Sequence, residues 1–275
     1  MKVGICGLGL IGGSMAKAYK AAGHTVYGAD INKTTVGYAS LCGMIDGTLD
    51  TDTVGECDLI MIALYPQAAA EYLTCIAPNV SKDTLVIDLC GTKKNICKCG
   101  FELAESFGFT FVGGHPMAGK QFSGIKYSTE KLFKGAPMVI VPPKYNDIAM
   151  FERIKAALAP AEFGKISVTT AADHDRMIAY TSQLAHVVSN AYVKSPTSAE
   201  HKGFSAGSYK DLTRVACLNE EMWSQLFTEN AEYLTKEIDG LIKNLSEYRD
   251  AIANGDTEGL KELLRAGRIA KETNG

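Results

Sequence analysis

An α/β fold followed by an all-helical second domain is predicted by three features of the 275-residue sequence. Short β-branched runs alternate with helical patterns through the first half. A glycine-rich turn follows the first of these runs and opens a helix. From about Ala171 onward the strand signals cease and helical periodicity takes over. Alternation of this kind implies parallel strands joined by crossover helices.

The segments Lys2 to Cys6, Thr25 to Gly28, Leu59 to Ala63, Leu85 to Leu89 and Met138 to Val141 are expected as strands. Phe151 to Ser167 lies between the two regimes, so the division is placed near residue 165: residues 1–165 for the first domain and 166–275 for the second. The second domain is expected to hold long helices over Asp173 to Lys194 and from Asn219 to about Ala253. A helix of the latter length and pattern leaves a wide apolar stripe exposed unless a partner covers it, which predicts homodimerisation.

The turn Gly7-Leu8-Gly9-Leu10-Ile11-Gly12 stands between a strand and a helix, the context that a dinucleotide fingerprint requires. Gly7 permits the tight turn, Gly9 lets the backbone approach a pyrophosphate, and Gly12 lets the helix pack closely on the strand. The helix start then favours an anion through its unpaired N–H groups and macrodipole. Gly7, Gly9, Leu10, Ile11 and Gly12 are therefore the candidate cofactor contacts of a Rossmann unit. Asp30 ends the second strand, where an acid hydrogen-bonds ribose hydroxyls and repels a 2′-phosphate, so NAD is expected over NADP. The alternative is that Asp30 only terminates its strand, although Asn32 and Lys33 beyond it provide no Arg for a phosphate.

Composition narrows the partners. Hydrophobic residues make up 46% of the chain and charged residues 21%, enough apolar material for a core and two domains. With 28 basic and 31 acidic residues the formal charge is −3, which offers no reason to expect nucleic acid. The eight cysteines are scattered and expected as free thiols; Cys97 and Cys99 lack a second pair at metal spacing, so no metal is expected. The N-terminal apolar run is broken by Gly4 and Gly7, unlike a signal peptide, and no stretch is long enough to span a membrane. A cytoplasmic protein acting on a small molecule is the expectation.

The segment Gly113-Gly114-His115-Pro116-Met117-Ala118-Gly119 follows the dinucleotide unit. The second half adds Lys210-Asp211-Leu212-Thr213-Arg214-Val215-Ala216 and Glu221-Met222-Trp223. In these motifs the chain resembles the prephenate and arogenate dehydrogenase family, from about residue 3 to about residue 250. The resemblance implies NAD-linked oxidative decarboxylation of prephenate to 4-hydroxyphenylpyruvate in tyrosine biosynthesis, with arogenate oxidation as the alternative. It also implies that His115 accepts the proton of the substrate hydroxyl, although a His in a glycine-rich loop can equally cap backbone groups. Pro116 restricts His115 to extended conformations, which suits a held imidazole.

By the same resemblance Thr92 would bond both His115 and the substrate hydroxyl, where many relatives carry Ser. Its alternative role is to cap the helix that starts near Lys93. Arg214 matches the substrate-binding arginine, a surface pair with Asp211 being the alternative. His186 is the second of two family histidines; Gln183 replaces the first. Trp223 matches the substrate-pocket tryptophan, though it could equally be core. Gln121 stands where relatives carry an acid, which favours prephenate over the ammonium of arogenate. The residues after the long helices leave little room for a separate regulatory or chorismate mutase module, so feedback by tyrosine is expected at the active site. A β-hydroxyacid dehydrogenase would not account for the Gly113–Gly119 segment. An NAD sensor without turnover would not need His115, Thr92 and Arg214.

Overall fold

The computed structural model describes residues 1–120 and 122–274. The first half runs β1 (Lys2–Cys6), α1 (Leu10–Ala21), β2 (Thr25–Ala29), α2 (Lys33–Leu41), β3 (Gly47–Thr48), α3 (Thr51–Val54), β4 (Leu59–Ile62), α4 (Pro66–Ile76), β5 (Leu85–Asp88), α5 (Lys94–Phe107), β6 (Thr110–Pro116), β7 (Pro137–Val141), α6 (Ile148–Leu158) and β8 (Lys165–Val168). The sheet order is β3-β2-β1-β4-β5-β6-β7-β8, so the strand order reverses direction between β1 and β4. Ligands of open α/β sheets bind at that crevice.

Strands β4 and β5 are buried at every position, as expected for central strands covered on both faces. Alternate residues feed two cores. Val3, Ile5, Leu59, Met61 and Ile87 pack on the side of α1 and α6. Ile60, Ile62 and Val86 face α4 and α5 with Leu73, Ile96 and Phe111.

Three strands were not foreseen, the two-residue β3 as well as β6 and β8, and one pairing differs from the expected parallel scheme. β6 carries the Gly113–Pro116 segment, so His115 lies on a strand and not in a loop. β7 pairs antiparallel to β6, with His115 opposite Val139. Among the described residues the connection between them has only a short 3-10 turn, Ile125–Tyr127, and a parallel return would need a full crossover. β8 then pairs parallel to β7 and extends the sheet to Val168.

The second half is helical: α7 (Ala171–Ile178), a π-helical turn (Ala179–Leu184), α8 (Ala185–Tyr192), α9 (Gly207–Thr213), α10 (Glu220–Glu229), α11 (Ala231–Ala253) and α12 (Thr257–Asn274). The expected helix through 173–194 is thus interrupted by the π turn. The one expected after Asn219 is divided at Asn230, whose side chain turns inward to donate to Asp175 O at 2.8 Å and Gln183 Oε1 at 2.7 Å. Helix α12, unforeseen, folds back on α11, where the Tyr248 hydroxyl donates to Leu263 O at 3.2 Å. Ile242, Leu245 and Ile252 on α11 and Leu264 on α12 are each more than half exposed. Among the described residues no helix is long and apolar enough to cross a membrane.

Candidate active site

The glycine turn is shaped by backbone crowding. Gly7 has φ +84°, and a Cβ there would lie 2.4 Å from Ala63 O; one on Gly12 would lie 1.7 Å from Gly7 O. Gly9 faces open space and caps α1 without any side-chain bond. The first intrahelical bond runs from Gly13 N to Gly9 O at 3.0 Å, so the N–H groups ahead of it, including those of Leu10 and Ile11, are left for a ligand. No acid occupies the first turn of α1 to compete with an anion. Asp30 follows β2 and grips the turn: its carboxylate accepts from Leu8 N at 2.8 Å and from Asn32 N at 2.9 Å. A cleft of about 130 Å³ opens beside this turn between Ile11, Tyr65, Leu89, Gly91, Met222 and Leu226. Its walls come from the carboxyl ends of β4 and β5 and from α10.

Past the end of β5, His115 anchors a chain of hydrogen bonds. Its Nδ1 lies 2.9 Å from His174 Nε2, and His174 Nδ1 lies 2.7 Å from Asp175 Oδ1. Asp175 in turn accepts from Lys93 N at 2.7 Å and Lys94 N at 2.9 Å, satisfying the first turn of α5. His174 and Asp175 are buried, at 3% and 1% exposure. Burial, the neighbouring His174 ring and the Lys93 cation together hold His115 well below the usual histidine range. Burial likewise lowers His174, outweighing the opposing pull of Asp175. Both rings are therefore neutral at physiological pH.

Beneath the pair, Lys93 Nζ donates to Asp88 Oδ2, with neither side chain exposed to solvent. Burial, the largest single effect, lowers the ammonium; the Asp88 charge and hydrogen bond together with Cys90 and Cys97 outweigh it, and the Lys93 pKa is raised. Asp88 also accepts from Gly114 N at 3.1 Å and Cys90 N at 2.9 Å, tying the end of β5 to the strand that carries His115. Added Cβ atoms on Gly113 and Gly114 would collide with Cys97 Sγ at 2.4 Å and Asp88 O at 2.6 Å. The two glycines before His115 thus let β6 lie against this polar cluster.

Thr92 neither bonds His115 nor caps α5. Its hydroxyl donates to Glu229 Oε2 at 2.6 Å, not to His115. The α5 cap it was expected to provide comes from Asp175, because the helix begins two residues later, at Lys94. His186 stacks on Trp223 with ring centroids 4.1 Å apart, and its Nδ1 donates to Ser182 O at 2.8 Å, with no partner for Nε2 among the described residues. Trp223 is only partly buried and also packs on Phe227. Arg214, exposed at the end of α9, lies near enough to His186 to oppose its protonation, after the larger effect of burial. Among the described residues Arg214 forms no ion pair, so the alternative pairing with Asp211 is not made. Gln183 is buried and bonded to Leu226 O at 3.0 Å and to Asn230, which makes it a tie between helices. Gln121 lies outside the described residues.

The sequence reading missed His174, Asp175, Asp88, Lys93 and Glu229. A His-Asp dipeptide at the start of a helix, and an acid at a strand end five residues before a Lys, were the available signals. Neither specifies its partner without the fold.

Comparison with known proteins agrees with this geometry. Residues 15–166 match the family model described as prephenate dehydrogenase, nucleotide-binding domain, and residues 170–266 match prephenate dehydrogenase, dimerization domain. The chain is 29% identical to a cyclohexadienyl dehydrogenase of Zymomonas mobilis over 98% of its own length and 94% of the relative's. It is 29% identical to a prephenate dehydrogenase of Bacillus subtilis over 96% and 73%. Among solved structures it resembles prephenate dehydrogenase from A. aeolicus in complex with hydroxyphenyl propionate and NAD+, with TM-score 0.82 and 30% identity over 100% of this chain and 98% of that one. Synechocystis arogenate dehydrogenase is similar too, with TM-score 0.80 and 28% identity over the full length of both. With both halves matched in order along one chain, and with the turn, the His115 strand and the helical cover in place, the protein belongs to the prephenate dehydrogenase family.

Proposed function

We propose that the protein is an NAD-dependent prephenate dehydrogenase that converts prephenate to 4-hydroxyphenylpyruvate and CO2. The observation that carries this reading is a neutral, hydrogen-bonded His115 at the carboxyl end of the sheet, next to the dinucleotide crevice. The turn fits the cofactor: Gly9 is open to the approach of a pyrophosphate, the start of α1 provides N–H donors, and Asp30 stands where ribose hydroxyls bind. When bound, NAD accepts the hydride lost from the ring carbon that bears the hydroxyl.

His115 removes the hydroxyl proton as that hydride departs, so the carbon becomes a carbonyl carbon. Loss of CO2 from the carboxylate across the ring returns its bonding pair to the ring, and aromatisation drives the reaction. A base for this step must be uncharged beforehand and held within hydrogen-bond reach, which the low His115 pKa and the His174 bond support. Arg214, with His186 and Trp223 nearby, offers a cation for a substrate carboxylate and a flat apolar surface for its ring.

The division of labour follows the fold: residues 1–165 hold the cofactor, and 166–275 complete the substrate pocket and form a homodimer. The matched dimerization domain and the exposed Ile242, Leu245 and Ile252 support association through α11. A monomer at micromolar concentration in sedimentation would remove that part. The catalytic reading is tested by initial rates of reduced-cofactor formation with prephenate and with arogenate, each with NAD and with NADP. Fast turnover of prephenate with NAD is the expected result. Turnover of arogenate alone would reverse the substrate assignment, and a preference for NADP would overturn the role given to Asp30.

A further inference from the structure

We propose that Asp175 and His174 are positioning residues that set the tautomer of His115, so that its Nε2 is kept as a bare acceptor facing the substrate. The inference rests on the functional reading above, but its central observable does not need turnover.

Asp175 fixes the direction of the hydrogen bonds from one end of the chain. Both oxygens of Asp175 already accept backbone N–H bonds, Oδ1 from Lys93 and Oδ2 from Lys94, so the carboxylate acts as an acceptor. Its 2.7 Å contact with His174 Nδ1 therefore requires the proton to sit on that nitrogen. In a neutral imidazole the other nitrogen must then be the acceptor. His174 Nε2 is that nitrogen, and its 2.9 Å partner, His115 Nδ1, must be the donor. With its one proton on Nδ1, His115 presents an unprotonated Nε2. An oxidation that releases a hydroxyl proton needs this form, whereas the opposite tautomer would offer a second donor to the substrate and no acceptor.

The surroundings keep the relay in this state. The charged groups packed around the two rings are Asp175 on α7, Lys93 ahead of α5 and Asp88 at the end of β5. Lys93 opposes protonation of both rings, and burial does the same, so His174 does not become the doubly protonated donor that would reverse the direction of the His115 bond. The relay spans both halves of the chain. Its first ring stands on β6 and its second on α7, and Asn230 fixes the α7 backbone by donating to Asp175 O at 2.8 Å. The position of the proton on the His115 ring is thus decided by a carboxylate that reaches it only through a second ring.

The test is long-range 1H–15N NMR on 15N-histidine-labelled full-length protein with NAD, with His115→Asn used to assign the ring signals. Expected is a neutral His115 ring protonated at Nδ1, and in Asp175→Asn a shift of population toward the Nε2–H form. Asp175→Asn should lower kcat by about tenfold to 10⁴-fold, the span seen when an orienting acid behind a functional histidine is lost. Its KM and NAD affinity should change little. His174→Gln, whose side-chain carbonyl still accepts from Nδ1–H, should keep more activity than His174→Phe. An Nε2–H tautomer in the wild type would overturn the proposal. So would an Asp175→Asn protein with a lower Tm, through the lost α5 cap, but with the wild-type tautomer and kcat. A wild-type Nδ1–H tautomer in a protein inert toward prephenate would keep the relay and defeat the functional reading.

Discussion

Replacing Lys93 with Met removes one charge from a pair that water does not reach. The stem of Met fills much of the same space, so the change isolates the ammonium. Asp88 would remain buried with its two backbone donors, Gly114 N and Cys90 N, and no cation. Breaking a buried pair on one side costs about 3–5 kcal/mol. The two surviving amide bonds place this case near the lower end, about 3 kcal/mol. For a chain of this size each kcal/mol moves Tm by roughly 2–4 °C, so a drop of roughly 6–12 °C is expected in calorimetry. The double variant Lys93→Met, Asp88→Asn should lose less than the sum of the single changes, because the orphaned charge is gone.

The same substitution has a second, independent readout. His115 must be neutral to accept a proton, so activity falls as pH drops through its pKa. Lys93 is one of the groups that lower that pKa, after burial and His174. Its removal raises the pKa, and the uncompensated Asp88 charge acts in the same direction. The acid limb of kcat/KM should therefore move to higher pH, measured with saturating NAD and subsaturating prephenate. A Tm within about 1 °C of the wild type together with an unmoved acid limb would refute the reasoning. Such a result would mean that the pair does not sit beside His115 in solution.

Three further substitutions separate the parts of the site. His115→Asn should lower kcat by about two to four orders of magnitude, the range for a general base, while NAD affinity by calorimetric titration stays near wild type. Arg214→Ala should raise KM for prephenate far more than it lowers kcat, since a carboxylate clamp binds ground and transition states alike; an unchanged KM removes Arg214 from the pocket. Gly12→Ala places a Cβ where Gly7 O stands 1.7 Å away, so the turn must rearrange. NAD binding should fall at least tenfold with the helical half still folded by circular dichroism, and retained affinity would contradict the close approach of α1 to the turn.

What the sequence disclosed, and what it withheld, divides along physical lines. The glycine turn was legible because it is local: strand, turn and helix occupy consecutive residues, and Gly12 answers to Gly7 O within the turn itself, although Gly7 is also crowded by Ala63 just past β4. His115 is legible only through its motif, and its strand looks like a loop in the sequence because Gly113 and Gly114 have no side chains to signal a β run. Those glycines are needed where β6 presses on Asp88 and Cys97, a contact between elements distant in sequence. Thr92 was assigned to His115 by analogy, whereas its partner is Glu229, 137 residues away. The broken helices have the same origin. Asn230 is unremarkable in a helical pattern, and its reason for ending α10 is the inward bonds to Asp175 and Gln183.

These long-range contacts converge on the junction of the two halves. Asp175 closes the start of α5 in the nucleotide-binding half while holding His174, and Glu229 and Asn230 at the end of α10 reach Thr92 and Asp175. Leu226 of the same helix lines the cofactor crevice and receives the Gln183 bond at its carbonyl. A rigid-body shift of the helical half would therefore move three things together: the wall of the crevice, the cap of α5 and the partner of His115. Hydrogen bonds are steep in distance and angle, so even a displacement of about 1 Å would take the His115–His174 contact outside bonding range. Packing at the junction thus contributes to the placement of the base as directly as the residues beside it. The π turn at Ala179–Leu184, between the relay residues on α7 and His186 on α8, fits this account. On one side of it His174 is bonded to the His115 ring, and on the other His186 stacks on Trp223.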